Sequence, residues 1–221
     1  MQFKEFVSLM RENETAVFTV RDAARILGKT GAYASKFLHN RQGIERIEGG
    51  RYCIEGTPID VVASHMVHPS YLSLISALRF YNLTAQIPAE RYVVTTARHL
   101  PAVFRGNRMR FIKVSKRLMF GFGSVNGAVV ATPEKAFIDA LYLKRAMWYT
   151  EEFKNGVDRG VIDMKRLKGY ALALGNKKLI GRLADFLEES YSVDCSDLRA
   201  RGSHYAVRRT AGSPKHKNVI L

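Results

Sequence analysis

Of 221 residues, 47% are hydrophobic and 25% charged, a balance that excludes a disordered chain and leaves room for one or two folded cores. The 35 Lys/Arg outnumber the 20 Asp/Glu to give a formal charge of +15. That excess goes beyond what solubility requires and favours a polyanionic partner, nucleic acid before an acidic membrane surface.

The first elements predict a compact helical module. Phe3, Phe6, Val7, Leu9 and Met10 recur at helical spacing and give a first helix ending near Asn13. Phe18 and Val20 form a short extended piece. Thr19 then suits the N-cap of a second helix, VRDAARILG, with Asp22 in its first turn and Gly28 as its stop. Ala23, Ala24 and Leu27 face inward. The turn Lys29-Thr30-Gly31 leads into a third helix, AYASKFLHNRQ, with Ala34, Phe37 and Leu38 apolar. Ile44 and Ile47, then Tyr52 and Ile54, flank Gly49-Gly50, the pattern of a tight β-hairpin.

Helix, helix, short turn, helix and hairpin is the order of a winged helix-turn-helix. The third helix would then enter the DNA major groove with Thr30, Tyr33, Ser35, Lys36, His39 and Arg41 exposed. Tyr33, Ser35 and His39 suit base edges or phosphates, and Lys36 and Arg41 suit phosphates. The wing offers Arg46 and Arg51 to the neighbouring backbone or minor groove. Plainer readings stay open: Tyr33 packing on the wing, His39 capping the helix, and a module that contacts protein instead of DNA.

Charge is uneven along the chain. Residues 1–60 hold nine Lys/Arg and eight Asp/Glu, whereas residues 61–148 hold twelve and three. The basic excess thus lies largely outside the N-terminal module. A connection through Pro58 includes the helix-like IDVVASHMV. The segment HPSYLSLISALRFYNL predicts a helix capped by Ser70 or Ser73, striped by Leu74, Ala77, Leu78 and Tyr81, and ended by Asn82. RYVVTTA, RMRFIKV, KRLMFGFG and GAVVAT read as strands. Thr132-Pro133-Glu134 opens a helix running through AFIDALYLKRAMW. Asp163 caps MKRLKGYALALG, which stops at Gly175, and Leu179, Leu183, Phe186 and Leu187 mark another amphipathic helix. The tail RARGSHYAVRRTAGSPKHKNVIL is expected to be basic and partly mobile.

Between Arg98 and Arg117 lie seven basic residues and no acid: Arg98, Arg105, Arg108, Arg110, Lys113, Lys116 and Arg117. The stretch suits nucleic-acid or partner contact, or else a solvated edge that resists strand pairing. Catalysis is not indicated. Glu134, Lys135 and Asp139 fit a helix start with a solvated face better than a metal nuclease. The histidines show no zinc spacing, Gly121, Gly123 and Gly127 fit no phosphate-loop pattern, and Cys53 and Cys195 are far apart. No metal or cofactor is expected. Acidic residues in MQFKEFVSLMRENE argue against a signal peptide, and no window is apolar enough to span a membrane. A cytoplasmic protein without membrane contact follows.

The blocks SYLSLISALRFYNL, PAERYVVTTAR, RLMFGFG, ATPEKAFIDALYL and LKGYALALGNKKLIGRLADFLEES together resemble the AbiEi antitoxins of type IV toxin–antitoxin systems. The resemblance runs from the N-terminal module to about residue 190. It implies a winged helix binding repeats in the gene's own promoter, and a second domain counteracting a nucleotidyltransferase-like toxin without necessarily touching it. The expected architecture is α+β: a winged helix-turn-helix over 1–60, then a mixed α/β domain over 61–221 with a helical C-terminal part. The expected function is a DNA-binding, autorepressing transcriptional regulator and antitoxin. The alternative is an RNA- or protein-binding interaction module.

Overall fold

The computed structural model describes residues 1–39 and 41–201; residues 202–221, the greater part of the basic tail, lie outside them. The chain is a mixture of helix and strand. Its first elements are α1 (Phe3–Glu12), β1 (Val17–Thr19), α2 (Val20–Leu27), α3 (Gly31–Leu38), β2 (Ile44–Glu48) and β3 (Arg51–Ile54). The three strands form an antiparallel sheet in the order β1-β3-β2.

Local chemistry sets these boundaries. Thr19 Oγ1 accepts from the Asp22 N–H at 3.2 Å while Asp22 accepts from the Thr19 N–H at 2.9 Å, a reciprocal cap that satisfies two donors at the start of α2. Gly28, at φ 61°, ends α2 in the left-handed conformation that costs a side-chain-bearing residue energy. Ala23 and Ala34 are both fully buried, so α2 and α3 approach closely. Phe6, Phe18, Leu38 and Tyr52 complete the small core around them. Each large apolar side chain there contributes about 1.5–3 kcal/mol by burial.

After α4 (Ile59–His65) come β4 (Ser70–Leu72), α5 (Ile75–Leu78), β5 (Glu90–Thr95), β6 (Ala102–Phe104), β7 (Asn107–Lys113), β8 (Phe122–Val125) and β9 (Ala128–Ala131). They build a six-stranded sheet in the order β6-β7-β5-β4-β9-β8. The pairs β5–β7 and β4–β9 are parallel and the others antiparallel. Helices α6 (Pro133–Tyr142), α7 (Thr150–Asp158), α8 (Met164–Leu174) and α9 (Lys177–Tyr191) follow. Asp163 caps α8 by accepting from the Lys165 and Arg166 N–H groups, and Gly175 ends it at φ 58°.

The chain forms two compact units, Met1–Phe80 with Ala85–Thr132, and Tyr81–Thr84 with the chain from Pro133 onward. Residue 60 therefore falls inside the first unit, although the N-terminal module keeps its own apolar cluster. In the second unit Phe137 stacks on Phe153 at 3.9 Å and meets Phe186 edge-on at 4.8 Å. No helix among the described residues is long and apolar enough to cross a membrane.

Several expectations are corrected. The helix foreseen over 70–82 begins as a strand: Ser70–Leu72 is buried between β5 and β9, and only Ile75–Leu78 is α-helical, followed by a 3-10 turn at Arg79–Tyr81. Neither Ser70 nor Ser73 caps it; pairing with two partner strands outweighs the helical spacing. KRLMFGFG divides into a 3-10 turn at Lys116–Leu118 and β8, with Gly121 at φ 68° between them. Helix α6 stops at Tyr142, and Ala146–Tyr149 forms a separate turn. The strand β6 had no sequence signal of its own. β7 is no sheet edge either, since β6 covers it.

Candidate nucleic-acid interface

Helix α3 turns one face inward and one outward. Ala34 and Leu38 are buried, whereas Tyr33, Ser35, Lys36 and His39 are exposed. Ala32, Ser35, Lys36, His39 and Arg41 line an open surface depression. Of the six residues expected on this helix, Thr30 serves as its cap, accepting from the Tyr33 N–H at 3.3 Å. Tyr33 stacks on Phe37, one turn along the same helix, at 6.3 Å and 22°. Half of its surface is open.

The helix is shorter than its sequence suggests. His39 is the residue at which it ends, already extended at ψ 128°. Gly43 then exchanges hydrogen bonds with Glu55, its N–H reaching the side chain at 2.9 Å and its carbonyl taking the Glu55 N–H at 3.0 Å. Those bonds draw the chain into β2 and leave no room for further helical turns. Arg41 consequently lies beyond α3. Its Nε donates to the Phe37 carbonyl at 3.3 Å and its guanidinium lies 5.6 Å from the centre of the Phe3 ring.

The hairpin is less available than expected. Arg46 is exposed and donates to the Glu48 carbonyl at 3.3 Å. Arg51 is ion-paired to Glu48 and lies 3.0 Å from His99 Nε2, which is itself 3.1 Å from the Glu48 carboxylate. A second link binds the two Glu45 carboxylate oxygens to Arg105, whose Nη1 also donates to the Thr57 carbonyl at 2.8 Å. The Arg105 hydrogen bond holds the Glu45 carboxyl below its usual range despite partial desolvation. The hairpin is thus fastened to the β6–β7 region at two points.

Comparison with family models and with curated proteins returns no match.

The basic stretch from 98 to 117 separates into two sets. Arg105 is held by Glu45, and Arg108 and Arg110 both reach Glu90, at 3.5 and 2.8 Å. The β5–β7 register explains the second group, because it sets Glu90 opposite Arg108 and Tyr92 opposite Arg110. The Arg110 hydrogen bond lowers the Glu90 carboxyl below its usual range. Arg98, Lys113, Lys116 and Arg117 are exposed and hold no carboxylate among the described residues. Sequence alone shows seven equivalent cations. The acids that divide them lie many residues away, so no local signal marks the division.

The trio Glu134, Lys135 and Asp139 is not solvated. Their exposures are 1%, 0% and 1%, because α6 is covered on every side from Pro133 to Leu141. Lys135 pairs with Asp139 one turn on. Burial lowers the Lys135 ammonium's proton affinity, and Asp139 partly restores it. One Glu134 oxygen accepts from the Asp163 N–H at 2.9 Å, and Arg166 lies 3.8 Å from the other. Burial likewise pushes the Cys53 thiol to about 11 and raises that of Cys195, leaving both as packing groups. No cluster of metal-ligating side chains occurs among the described residues.

Proposed function

We propose that the chain is a sequence-specific duplex-DNA-binding regulator in which residues 1–54 act as a winged helix and α3 reads the major groove. The supporting observation is the outer face of α3. Tyr33, Ser35, Lys36 and His39 project from a helix whose inner face is locked by Ala34 and Leu38. Polar groups held rigidly on an exposed helix suit base-edge and phosphate contacts. Lys36 and Arg41 are assigned to phosphates, and Tyr33, Ser35 and His39 to base edges or phosphates. Thr30 positions the helix. Autorepression of the gene's own promoter and opposition to a nucleotidyltransferase-like toxin extend this proposal, and they rest on the resemblance to AbiEi antitoxins alone.

Fluorescence anisotropy with duplexes from the gene's upstream region and a scrambled control tests the reading. Lys36→Ala should weaken both duplexes and lower the salt slope by about 0.9. Tyr33→Ala with Ser35→Ala should narrow the gap between operator and control. Unchanged binding in all these variants, with intact circular dichroism, removes α3 from the interface.

A further inference from the structure

We propose that the pocket lined by Arg98, His99, Leu100, Phe111 and Lys113 binds a backbone phosphodiester of duplex DNA. It thereby supplies the contact that the hairpin arginine Arg51 cannot make. The proposal rests on the reading of α3 and adds a second, non-reading contact to it.

Three features converge on this open surface pocket of about 270 Å³. Arg98 and Lys113 bring two exposed cations to it, and neither holds a carboxylate among the described residues. By contrast Arg105, a few residues away, is paired with Glu45, and Arg108 and Arg110 share the one carboxylate of Glu90. Cations with no carboxylate partner among the described residues of this stretch therefore lie beside the pocket and at Lys116 and Arg117. The wall is apolar: Leu100 is 82% exposed, and the Phe111 ring lies 4.3 Å from that of His99. A cationic rim over an apolar wall suits a sugar–phosphate unit, with the phosphate on the cations and the deoxyribose against Leu100 and Phe111. It suits inorganic phosphate, which has nothing apolar to offer, less well.

His99 fixes the pocket to the hairpin. Its Nδ1 is 2.7 Å from the Leu100 carbonyl, and its Nε2 lies between Arg51 Nη1 and the Glu48 carboxylate. Both ring nitrogens are occupied by protein groups, so His99 is a positioning residue and the anion is held by Arg98 and Lys113. The same contacts take Arg51 out of use. A duplex lying along the hairpin would meet its free cations in this pocket instead of at Arg51.

Full-length Arg98→Gln/Lys113→Gln is the direct test. Both side chains are exposed, so the fold should persist, and each single variant and Leu100→Glu provide independent checks. Binding to operator and scrambled duplexes should fall by the same factor, about tenfold or more at physiological salt, with the salt slope reduced by about two. Arg108→Gln/Arg110→Gln should change the slope by less, about half as much, since Glu90 already offsets one of those two charges. Leu100→Glu, which places a carboxylate in the pocket, should exceed either single substitution. Equal slope losses from the two double variants would mean a diffuse field and overturn the site. So would a change in the operator-to-scrambled ratio, or unaltered binding where Lys36→Ala still weakens it. In that last case the α3 reading survives and the pocket does not. Absence of duplex binding by the unaltered chain overturns both.

Discussion

Helices α3 and α6 are of similar length and each follows a threonine, yet their polar residues do opposite things. In α3 only Ala34 and Leu38 are buried, and Tyr33, Ser35 and Lys36 face outward. In α6 every residue from Pro133 to Leu141 is buried, including Glu134, Lys135 and Asp139. A charged side chain on a helix therefore has no fixed meaning until the number of packed faces is known. With one face packed, charge is available to a partner. With all faces packed, it must be paired inside, and removing a partner leaves the other desolvated and unpaired.

The sharpest way to break this comparison is Asp139→Ala. It removes the carboxylate paired with the buried Lys135 ammonium and should cost about 3–5 kcal/mol in denaturant unfolding. Replacing Lys135 and Asp139 together by Met and Leu should recover most of that loss. A cost under about 1 kcal/mol for the single change would show that the pair is not buried in solution. Leu38→Ala tests the packed face of α3, and should cost about 2–5 kcal/mol through a cavity in the small core. Lys36→Ala on the opposite face should leave the melting temperature within experimental error while still weakening DNA. If Lys36→Ala destabilises as Leu38→Ala does, the two faces of α3 are not distinct.

Smaller effects sharpen the picture around α3. Thr19→Ala removes the reciprocal cap of α2 and should cost about 1 kcal/mol by chemical denaturation; no change would mean that another donor takes over. The Glu45–Arg105 link should contribute at most about 1 kcal/mol, because both side chains are about one-third exposed. Its pH dependence has a definite sign. The folded carboxyl is held below its ordinary value of 4.5, so the link stabilises above that value and the contribution is lost as pH falls through the lowered one. Glu45→Gln should therefore melt below the unaltered chain at neutral pH, and the two should converge in acid. A gap that stays constant through the acid range would assign it to packing.

What the sequence determined by itself is local. The Thr19–Asp22 cap, the stops at Gly28 and Gly175, the Asp163 cap of α8 and the Gly49-Gly50 hairpin each depend on residues within a few positions of one another. Backbone preference and short-range hydrogen bonding are enough to read them. The outer face of α3 was legible for the same reason, since helical spacing separates Ala34 and Leu38 from Tyr33, Ser35 and Lys36.

Only the tertiary structure decided the rest. Ser70–Leu72 became a strand because β5 and β9 claim its backbone from either side. The end of α3 was set by Glu55, twelve residues past Gly43. Glu45, Glu48 and Glu90 chose which arginines stay free, and they did so across separations of up to 60 residues. Coulombic pairing and desolvation depend on distance in space, and a sequence records distance only along the chain. That is why seven cations looked alike until the sheet brought carboxylates to three of them.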